Sequence, residues 1–379
     1  MVIKRTVSVM LAVVMLLLSL PFSASALSKD DVNAPSAILV EPDSFKVLYE
    51  KNAHEKRCVA SITKVMTVLL IMEDIENGKI SLSDTVTASE HSASMGGSDI
   101  WLETGEQMSV DDMLKATLVA SANDAAVALA EYSEGSEDAF VSRMNKRAKS
   151  LGMKDTVFKN CNGLDEEGHI SSAYDVALMS AELIKHTKVF DYTSIWLDFL
   201  RNGETQIVNT NKLLKSYDGI TGLKTGTTDD AGCCISATAE RNGMKLIAVA
   251  LGCDTGTERF KAASTMLDYG FNNYSVITPK KVKPGTVPVN KGMEKKVALV
   301  ADAPKTVLTN KTNTDEITTE VNIPENLDAP VKKNQTVGSI TYKLGDKEVQ
   351  RVIVRAKDAV EECTFENSLQ YIFDKLISL

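Results

Sequence analysis

The chain has 379 residues, 44% of them hydrophobic and 25% charged, with a formal net charge of −9 at pH 7. That length suits one large domain and a smaller one. Without the leader described next, Lys and Arg fall from 42 to 40 against 51 acids, a charge of −11, and so acidic a chain is a poor nucleic-acid binder.

Lys4 and Arg5 precede the apolar run from Val7 to Leu20, and Ala24-Ser25-Ala26 follows as a small-residue cleavage pattern. Residues 1–26 read as a secretory signal peptide, cut after Ala26, which predicts an exported protein. Ser36 to Val40 and Lys46 to Tyr49 flank Glu41-Pro42-Asp43-Ser44 and read as a β-hairpin. Ser61-Ile62-Thr63-Lys64 then opens a helix that continues through Val65 to Met72 and ends near Gly78. That run is apolar on nearly every face, so the helix is predicted to be buried. Side chains at i and i+3 share a helix face, so the Ser61 hydroxyl can meet the Lys64 amine. Taken alone, the pair reads either as a helix cap beside a solvated lysine or as a nucleophile beside a partly desolvated base.

Ser109-Val110-Asp111-Asp112 resembles a capping box for a helix over Met113 to Ala120. Ser121-Ala122-Asn123-Asp124 interrupts that pattern before a second helix, Ala125 to Tyr132. A long helical stretch through Met144 to Leu151 follows, then a loop rich in Gly and Asn from Asn160 to Gly168, then a helix from Ala173 to Lys185. From Gly219 the period changes to that of strands. Lys224-Thr225-Gly226-Thr227-Thr228 closes one strand, and Gly232 to Glu240 and Lys245 to Gly252 are two more, joined by Arg241-Asn242-Gly243. Thr257 to Tyr269 reads as a helix packing back on that sheet. Hairpin, helices, hairpin and helix imply an α+β domain in which a helical insertion separates two halves of one sheet.

Six cysteines in a chain this long do not make a disulfide framework. Pairing residue 241 with 244 puts Cys234 opposite Leu251, with Cys253 only diagonal to it and too far for a bridge. Cys233, Cys234 and Cys253 are predicted to be buried free thiols, and adjacent Cys233 and Cys234 face opposite ways, unlike a metal pair.

Beyond residue 275 short alternating segments rich in Val, Thr and Lys take over, with strands predicted at Val297–Ala301, Thr318–Ile323, Gly338–Leu344 and Val349–Arg355. Residues 276–360 read as a small all-β domain. In the last stretch, 361–379, Phe365, Leu369, Ile372, Phe373, Leu376, Ile377 and Leu379 form one helical stripe. This amphipathic helix is too short and too charged to span a bilayer. It suits either docking on the β domain or lying on a membrane surface.

Three motifs each occur once: Ser61-Ile62-Thr63-Lys64, Ser121-Ala122-Asn123 and Lys224-Thr225-Gly226. Singly they are weak. Their order, from an early helix through an inter-helix loop to a late strand, makes the set specific for acyl transfer on serine. With Val47 to Ala53, Leu118 to Ala126 and Asn162-Gly163-Leu164-Asp165, they make the chain resemble the low-molecular-weight penicillin-binding proteins that are serine D-alanyl-D-alanine carboxypeptidases. The likeness runs from about Ala34 to the C-terminus. It implies a penicillin-binding/β-lactamase-like catalytic domain over 27–275, an antiparallel sheet flanked by helices, ahead of the all-β domain.

The resemblance also implies roles. Ser61 would be the nucleophile and Lys64, kept neutral by burial and by the second cation Lys224, its base. Ser121 would relay a proton to the departing D-Ala nitrogen. Asn123 would hold Lys64 by its carbonyl and the substrate backbone by its amide. Lys224 and Thr225 would receive the substrate's terminal carboxylate, Gly226 would let backbone approach backbone, and the main-chain N–H groups of Ser61 and Thr227 would form the oxyanion hole. The family often has His or an aromatic residue at Thr227 and Gly at Ala122. The implied partners are peptidoglycan stem peptides ending in D-Ala-D-Ala and β-lactams as covalent inhibitors, with no cofactor and no metal, outside the cytoplasm. A β-lactamase would share the motifs but needs a water-activating acid, for which only the loop residues Glu166 and Glu167 are placed. A non-catalytic wall-binding protein would not need Ser61 and Lys64. With only His54, His91, His169 and His186 and no H-E-x-x-H, nothing in the sequence supports a zinc peptidase, and no G-x-S-x-G supports a Ser-His-Asp triad.

Overall fold

A computed structural model describes residues 27–377, so the leader and the last two residues lie outside the described residues. The chain divides into two compact units, one running to Asn273 and the other from Tyr274 onward, with the turn Asn242–Met244 grouped with the second.

The first unit is built on a five-stranded sheet. Hairpin strands β1 (Ser36–Glu41) and β2 (Lys46–Lys51) sit beside the later strands β3 (Ile220–Thr228), β4 (Gly232–Arg241) and β5 (Met244–Cys253), in the order β2-β1-β5-β4-β3. Pairing is antiparallel from β2 to β1 and from β1 to β5, and again from β3 to β4, where Lys224 lies opposite Ser236 and Gly226 opposite Cys234. The first and last strands of the unit therefore meet in the middle of one sheet, and the predicted helical insertion runs between β2 and β3. Cys234 and Cys253 are buried, Cys233 is half-buried, and all three are free thiols.

Helix α1 (Lys64–Glu76) is buried from Lys64 to Met72, as its apolar run predicts. Its start differs from the prediction. Ser61 is not a helix cap but the second residue of a tight turn, Ala60–Thr63, entered through Ala60 at φ 49°. Helix α2 (Val110–Lys115) is capped by the Ser109 side chain, then widens into a turn over Ala116–Ala120 that Ser121 ends at φ 64°. Helices α3 (Asn123–Glu134), α4 (Glu137–Ser150) and α5 (Ala173–Leu183) follow, and α6 (Gly256–Asn273) packs on β4 and β1. One core joins α1, α2, α3, α5 and the inner face of the sheet, with Ile38, Val65, Leu69, Leu114, Leu129, Met179 and Val249 all buried. A hairpin over Leu197–Leu200 and Thr205–Val208 and the small pair Thr85–Thr87 with Gln107–Ser109 were not legible in the sequence.

The second unit is all β apart from its terminal helix. A six-stranded sheet runs in the order Ile317–Asn322, Thr336–Leu344, Lys347–Ala356, Lys296–Ala301, Thr286–Asn290 and Leu327–Asp328. Its separate core holds Val287, Val297, Leu299, Ile340, Tyr342, Val352 and Val354. The predicted terminal helix forms over Phe365–Ile377.

Asp74, near the end of α1, is buried and takes both Arg143 nitrogens at 2.7 and 2.8 Å and the Ser133 hydroxyl at 2.7 Å. Burial pushes the Asp74 carboxyl up, but these bonds outweigh it and hold the carboxyl below its usual range. Removing the guanidinium leaves that charge buried beside only Ser133 and a more distant Lys79. Arg143→Met is expected to lower the unfolding free energy by about 3 kcal/mol in a urea titration at neutral pH. Arg143→Met combined with Asp74→Leu is expected to recover most of it.

Candidate active site

Lys64 is the first residue of α1, and its Nζ lies 3.0 Å from Ser61 Oγ. The same nitrogen donates to Asn123 Oδ1 at 2.5 Å and to the Asn162 carbonyl at 2.7 Å. An ammonium has three N–H groups, whereas a neutral amine has two and a lone pair. The carboxamide oxygen and the carbonyl can only accept, so they take the two N–H groups of the neutral amine. The lone pair is then left for the one partner that can donate, the Ser61 hydroxyl. This is the arrangement of a base on a nucleophile. Lys64 is fully buried, and burial lowers its pKa from the usual 10.5 to about 7, against weaker upward pulls from Cys161, Asp99 and Asp124.

Lys224, on β3, is also buried, and its Nζ donates to Ser121 Oγ and to the Thr225 carbonyl, both at 2.8 Å. Burial first, then the charges of Lys64 and Arg259, hold it well below the usual lysine range. The sequence reading has Lys224 depress Lys64, but the influence runs the other way. The Lys64 charge is among the causes that lower Lys224, whereas the causes acting on Lys64 are burial and the groups of Cys161, Asp99 and Asp124.

Ser121 owes its position to the widened turn before it, whose end at positive φ aims the hydroxyl at Lys224 rather than along the helix. Asn123, two residues on, opens α3. Its main-chain N–H donates to the Ser98 carbonyl and its side-chain amide to the Gly96 carbonyl, both at 2.7 Å, so one of the two amide hydrogens predicted for substrate is used within the protein. On β3, Thr225 Oγ1 pairs with Thr210 Oγ1 at 2.6 Å. A Cβ on Gly226 would fall 2.9 Å from both the Ser61 nitrogen and the Val59 carbonyl oxygen, so only glycine lets this strand press against the nucleophile turn. Arg259 reaches across from α6 to the Gly226 carbonyl at 2.9 Å and the Thr227 hydroxyl at 2.7 Å, fixing the strand beside that turn.

All eight residues singled out in the sequence thus fall in one cluster. Four further contributors were missed. Asn162 acts through its carbonyl, which no side-chain pattern announces. Gly163 sits at φ 90° with room for no Cβ, because the Ala60 carbonyl oxygen would be 2.0 Å away. Thr210 and Arg259 lie outside any motif. Glu166 and Glu167 are exposed, and Glu166 accepts from Asn160 Nδ2 at 3.1 Å, the state of ordinary loop acids. Among the described residues no group of three or more His, Cys, Asp or Glu is placed to hold a metal ion.

A mixed α/β unit with a serine turn, a buried lysine and a sheet-edge lysine, followed by an all-β unit, is the architecture of the penicillin-binding carboxypeptidases. A family model described as D-alanyl-D-alanine carboxypeptidase matches residues 23–255, and one described as penicillin-binding protein 5, C-terminal domain, matches residues 271–362. The chain belongs to the D-alanyl-D-alanine carboxypeptidase family. It is 42% identical over 376 residues to the D-alanyl-D-alanine carboxypeptidase DacF of Bacillus subtilis, covering 96% of each chain. It is 35% identical to DacC of Escherichia coli, with 88% of this chain and 86% of that one covered. Among solved structures it is similar to penicillin-binding protein 5 of Haemophilus influenzae, with a TM-score of 0.74 at 29% identity, over 89% of this chain and 100% of that one. It is also similar to penicillin-binding protein D2 of Listeria monocytogenes in its ampicillin-bound form, with a TM-score of 0.58 at 34% identity, over 63% and 98% of the two chains.

His169 anchors the loop that carries Asn162. Its Nδ1 accepts the Lys159 N–H at 3.1 Å, so the neutral ring carries its proton on Nε2, which bonds Thr63 Oγ1 at 2.8 Å. Burial pushes its pKa down from 6.5 to about 4. The unfolded chain therefore binds this proton first. The stability is complete above pH 6.5 and is lost as pH falls toward 4, by about 3 kcal/mol. Glutamine offers the same acceptor and donor without titrating. The stability gap between wild type and His169→Gln, followed by thermal unfolding, is expected to move by about that amount in favour of the variant between pH 7 and pH 4.

Proposed function

We propose that this carboxypeptidase removes the terminal D-Ala of peptidoglycan stem peptides through an acyl-enzyme on Ser61. The observation that carries the reading is the fully buried Lys64 amine 3.0 Å from the Ser61 hydroxyl. Ser61 Oγ attacks the carbonyl of the D-Ala-D-Ala bond while its proton passes to Lys64. The oxyanion forms between the main-chain N–H groups of Ser61 and Thr227, on the two segments that Gly226 allows to touch. Ser121, bonded to Lys224, relays the proton taken up by Lys64 to the departing D-Ala nitrogen, which returns Lys64 to its neutral form. Water then attacks the acyl ester, its proton passing to the neutral Lys64 and from there to the leaving Ser61 oxygen, which restores the hydroxyl.

The second lysine explains the demand for a C-terminal carboxylate. Lys224 is depressed in the free enzyme, and an incoming anion favours its charged form. A substrate carboxylate beside Thr225 and Lys224 therefore pulls the lysine toward its charged form as it binds, whereas an amide does not. β-Lactams, which carry both a reactive carbonyl and a carboxylate, would acylate the same serine.

The leader and the tail support a location outside the cytoplasm at a membrane surface. With residues 1–26 acting as an export signal, the enzyme works outside the cytoplasm. No helix among the described residues is long and apolar enough to cross a membrane. On the terminal helix, however, Phe365 is 85% exposed and Leu369, Ile372 and Phe373 are exposed as well. Apolar side chains left in water on an amphipathic helix favour a membrane surface over docking on the β unit.

A fluorescent penicillin is expected to label the wild type and not Ser61→Ala. D-Ala release from a muropeptide ending in D-Ala-D-Ala should rise with pH through an acid limb near 7, and be lost when the same peptide is amidated at its C-terminus. Equal labelling of both proteins would remove Ser61 as the nucleophile. For the tail, deletion of 362–379 is expected to shift the protein from the membrane to the soluble fraction. A truncated protein that still pellets with membranes overturns the surface anchor.

A further inference from the structure

Trp101 is 79% exposed, the second most exposed large apolar side chain among the described residues after Phe365 of the terminal helix. Its backbone sits at φ 55°, a region that a bulky residue occupies only when its surroundings force it. The forcing contacts are visible on both sides. The carboxylate of buried Asp124 accepts the N–H of Ile100 at 3.1 Å and that of Leu102 at 3.0 Å, while both of those side chains are buried. The Trp101 carbonyl accepts from Arg201, whose Nε is held by Glu106 at 2.7 Å. The indole is thus an exposed plate on a rigid mount rather than a side chain that failed to find a core.

The mount belongs to the active site. Asp124 follows Asn123, and the segment that leads to Trp101 supplies the carbonyls of Gly96 and Ser98 that hold Asn123. Three residues span at most about 11 Å, so Trp101 stands within that distance of the Asn123 anchor. In the proposed reaction the fourth residue of the stem peptide is at Ser61. The three residues and the lactyl group before it reach about 14 Å when extended, and at their end the stem joins a sugar. The peptide itself offers mainly amides and carboxylates. A flat, rigid, apolar ring suits instead the C–H face of a pyranose, against which it can stack with little loss of side-chain freedom.

We propose that Trp101 is a glycan subsite, stacking on the amino-sugar ring that carries the stem peptide. The inference rests on the carboxypeptidase reading and adds a second part of the substrate to it. The enzyme then favours stems still attached to sugar over free peptides of the same sequence.

The test compares D-Ala release from a disaccharide-pentapeptide and from the bare pentapeptide, for wild type, Trp101→Ala and Trp101→Phe. The ratio of kcat/KM for the sugar-bearing over the bare substrate is expected to fall roughly tenfold in Trp101→Ala, through KM, and to be largely restored in Trp101→Phe. Labelling by a fluorescent penicillin, which carries no sugar, reports whether each variant still holds an intact site. An unchanged ratio overturns the subsite, whether both substrates suffer equally or neither does, and an equal loss would assign Trp101 to the peptide. Failure of the wild type to release D-Ala from either substrate would instead overturn the carboxypeptidase reading itself.

Discussion

The structure depends on keeping one lysine amine out of water. Taking an ammonium from water into a low-dielectric interior costs several kcal/mol even after relaxation, so the folded chain favours the neutral form and still has to satisfy its hydrogens. Lys64 meets that demand with three partners from three separate stretches: the Ser61 turn, the start of α3 and the loop after α4. None of the three is near another in sequence. The helical insertion is therefore the means by which distant segments converge on one nitrogen, and the apolar length of α1 is what keeps that nitrogen dry.

The second lysine gives the site its asymmetry. Lys64 and Lys224 are both buried, but Lys64 has two neutral acceptors and the weak fields of Asp99 and Asp124. Lys224 has a hydroxyl and one carbonyl, with Arg259 and Lys64 as like charges. The same residue type is thus lowered to about 7 in one place and held well below its ordinary value by burial and two like charges in the other. Two amines with separated proton affinities can act in sequence, one accepting from Ser61 and the other responding to the substrate's own charge, without any histidine.

How much of this was legible follows from where the information resides. The three motifs are side-chain patterns, so Ser61, Lys64, Ser121, Asn123 and the residues from Lys224 to Thr227 could be read directly. The alternation of periods made the split sheet and the all-β unit readable too. The role of Asn162 could not be read, although its stretch carries part of the resemblance, because its contribution is a carbonyl that any residue possesses. Arg259 was hidden for another reason: it works from a helix after the last motif, and only the pairing of β3 with β4 brings it beside Gly226. In the sequence the helix reads as opening at Ser61 rather than at Lys64, because a serine before an apolar run is a usual sign of a helix start. The positive φ at Ala60, through which the Ala60–Thr63 turn is entered, has no signature in an alanine.

That strained alanine is not isolated. Ala60, Ser121 and Trp101 all occupy the left-handed region although none is glycine or asparagine, and each borders the site: one before the nucleophile, one carrying the second serine, one on the loop that holds Asn123. A residue in such a conformation costs on the order of 1–2 kcal/mol, so three of them together weigh against a domain's net stability of only about 5–15 kcal/mol. The chain could relieve each by glycine, and it does use glycine at 163 and 226, where a Cβ would meet backbone. The division follows from contact. Glycine stands where two main chains touch. Side chains are kept, at a cost in strain, where the site uses them, as a hydroxyl at Ser121, an indole at Trp101 and a small methyl packed beside Gly226 at Ala60. Strain held by buried anchors such as Asp124 is how a site built from loops keeps the precision of one built on helices.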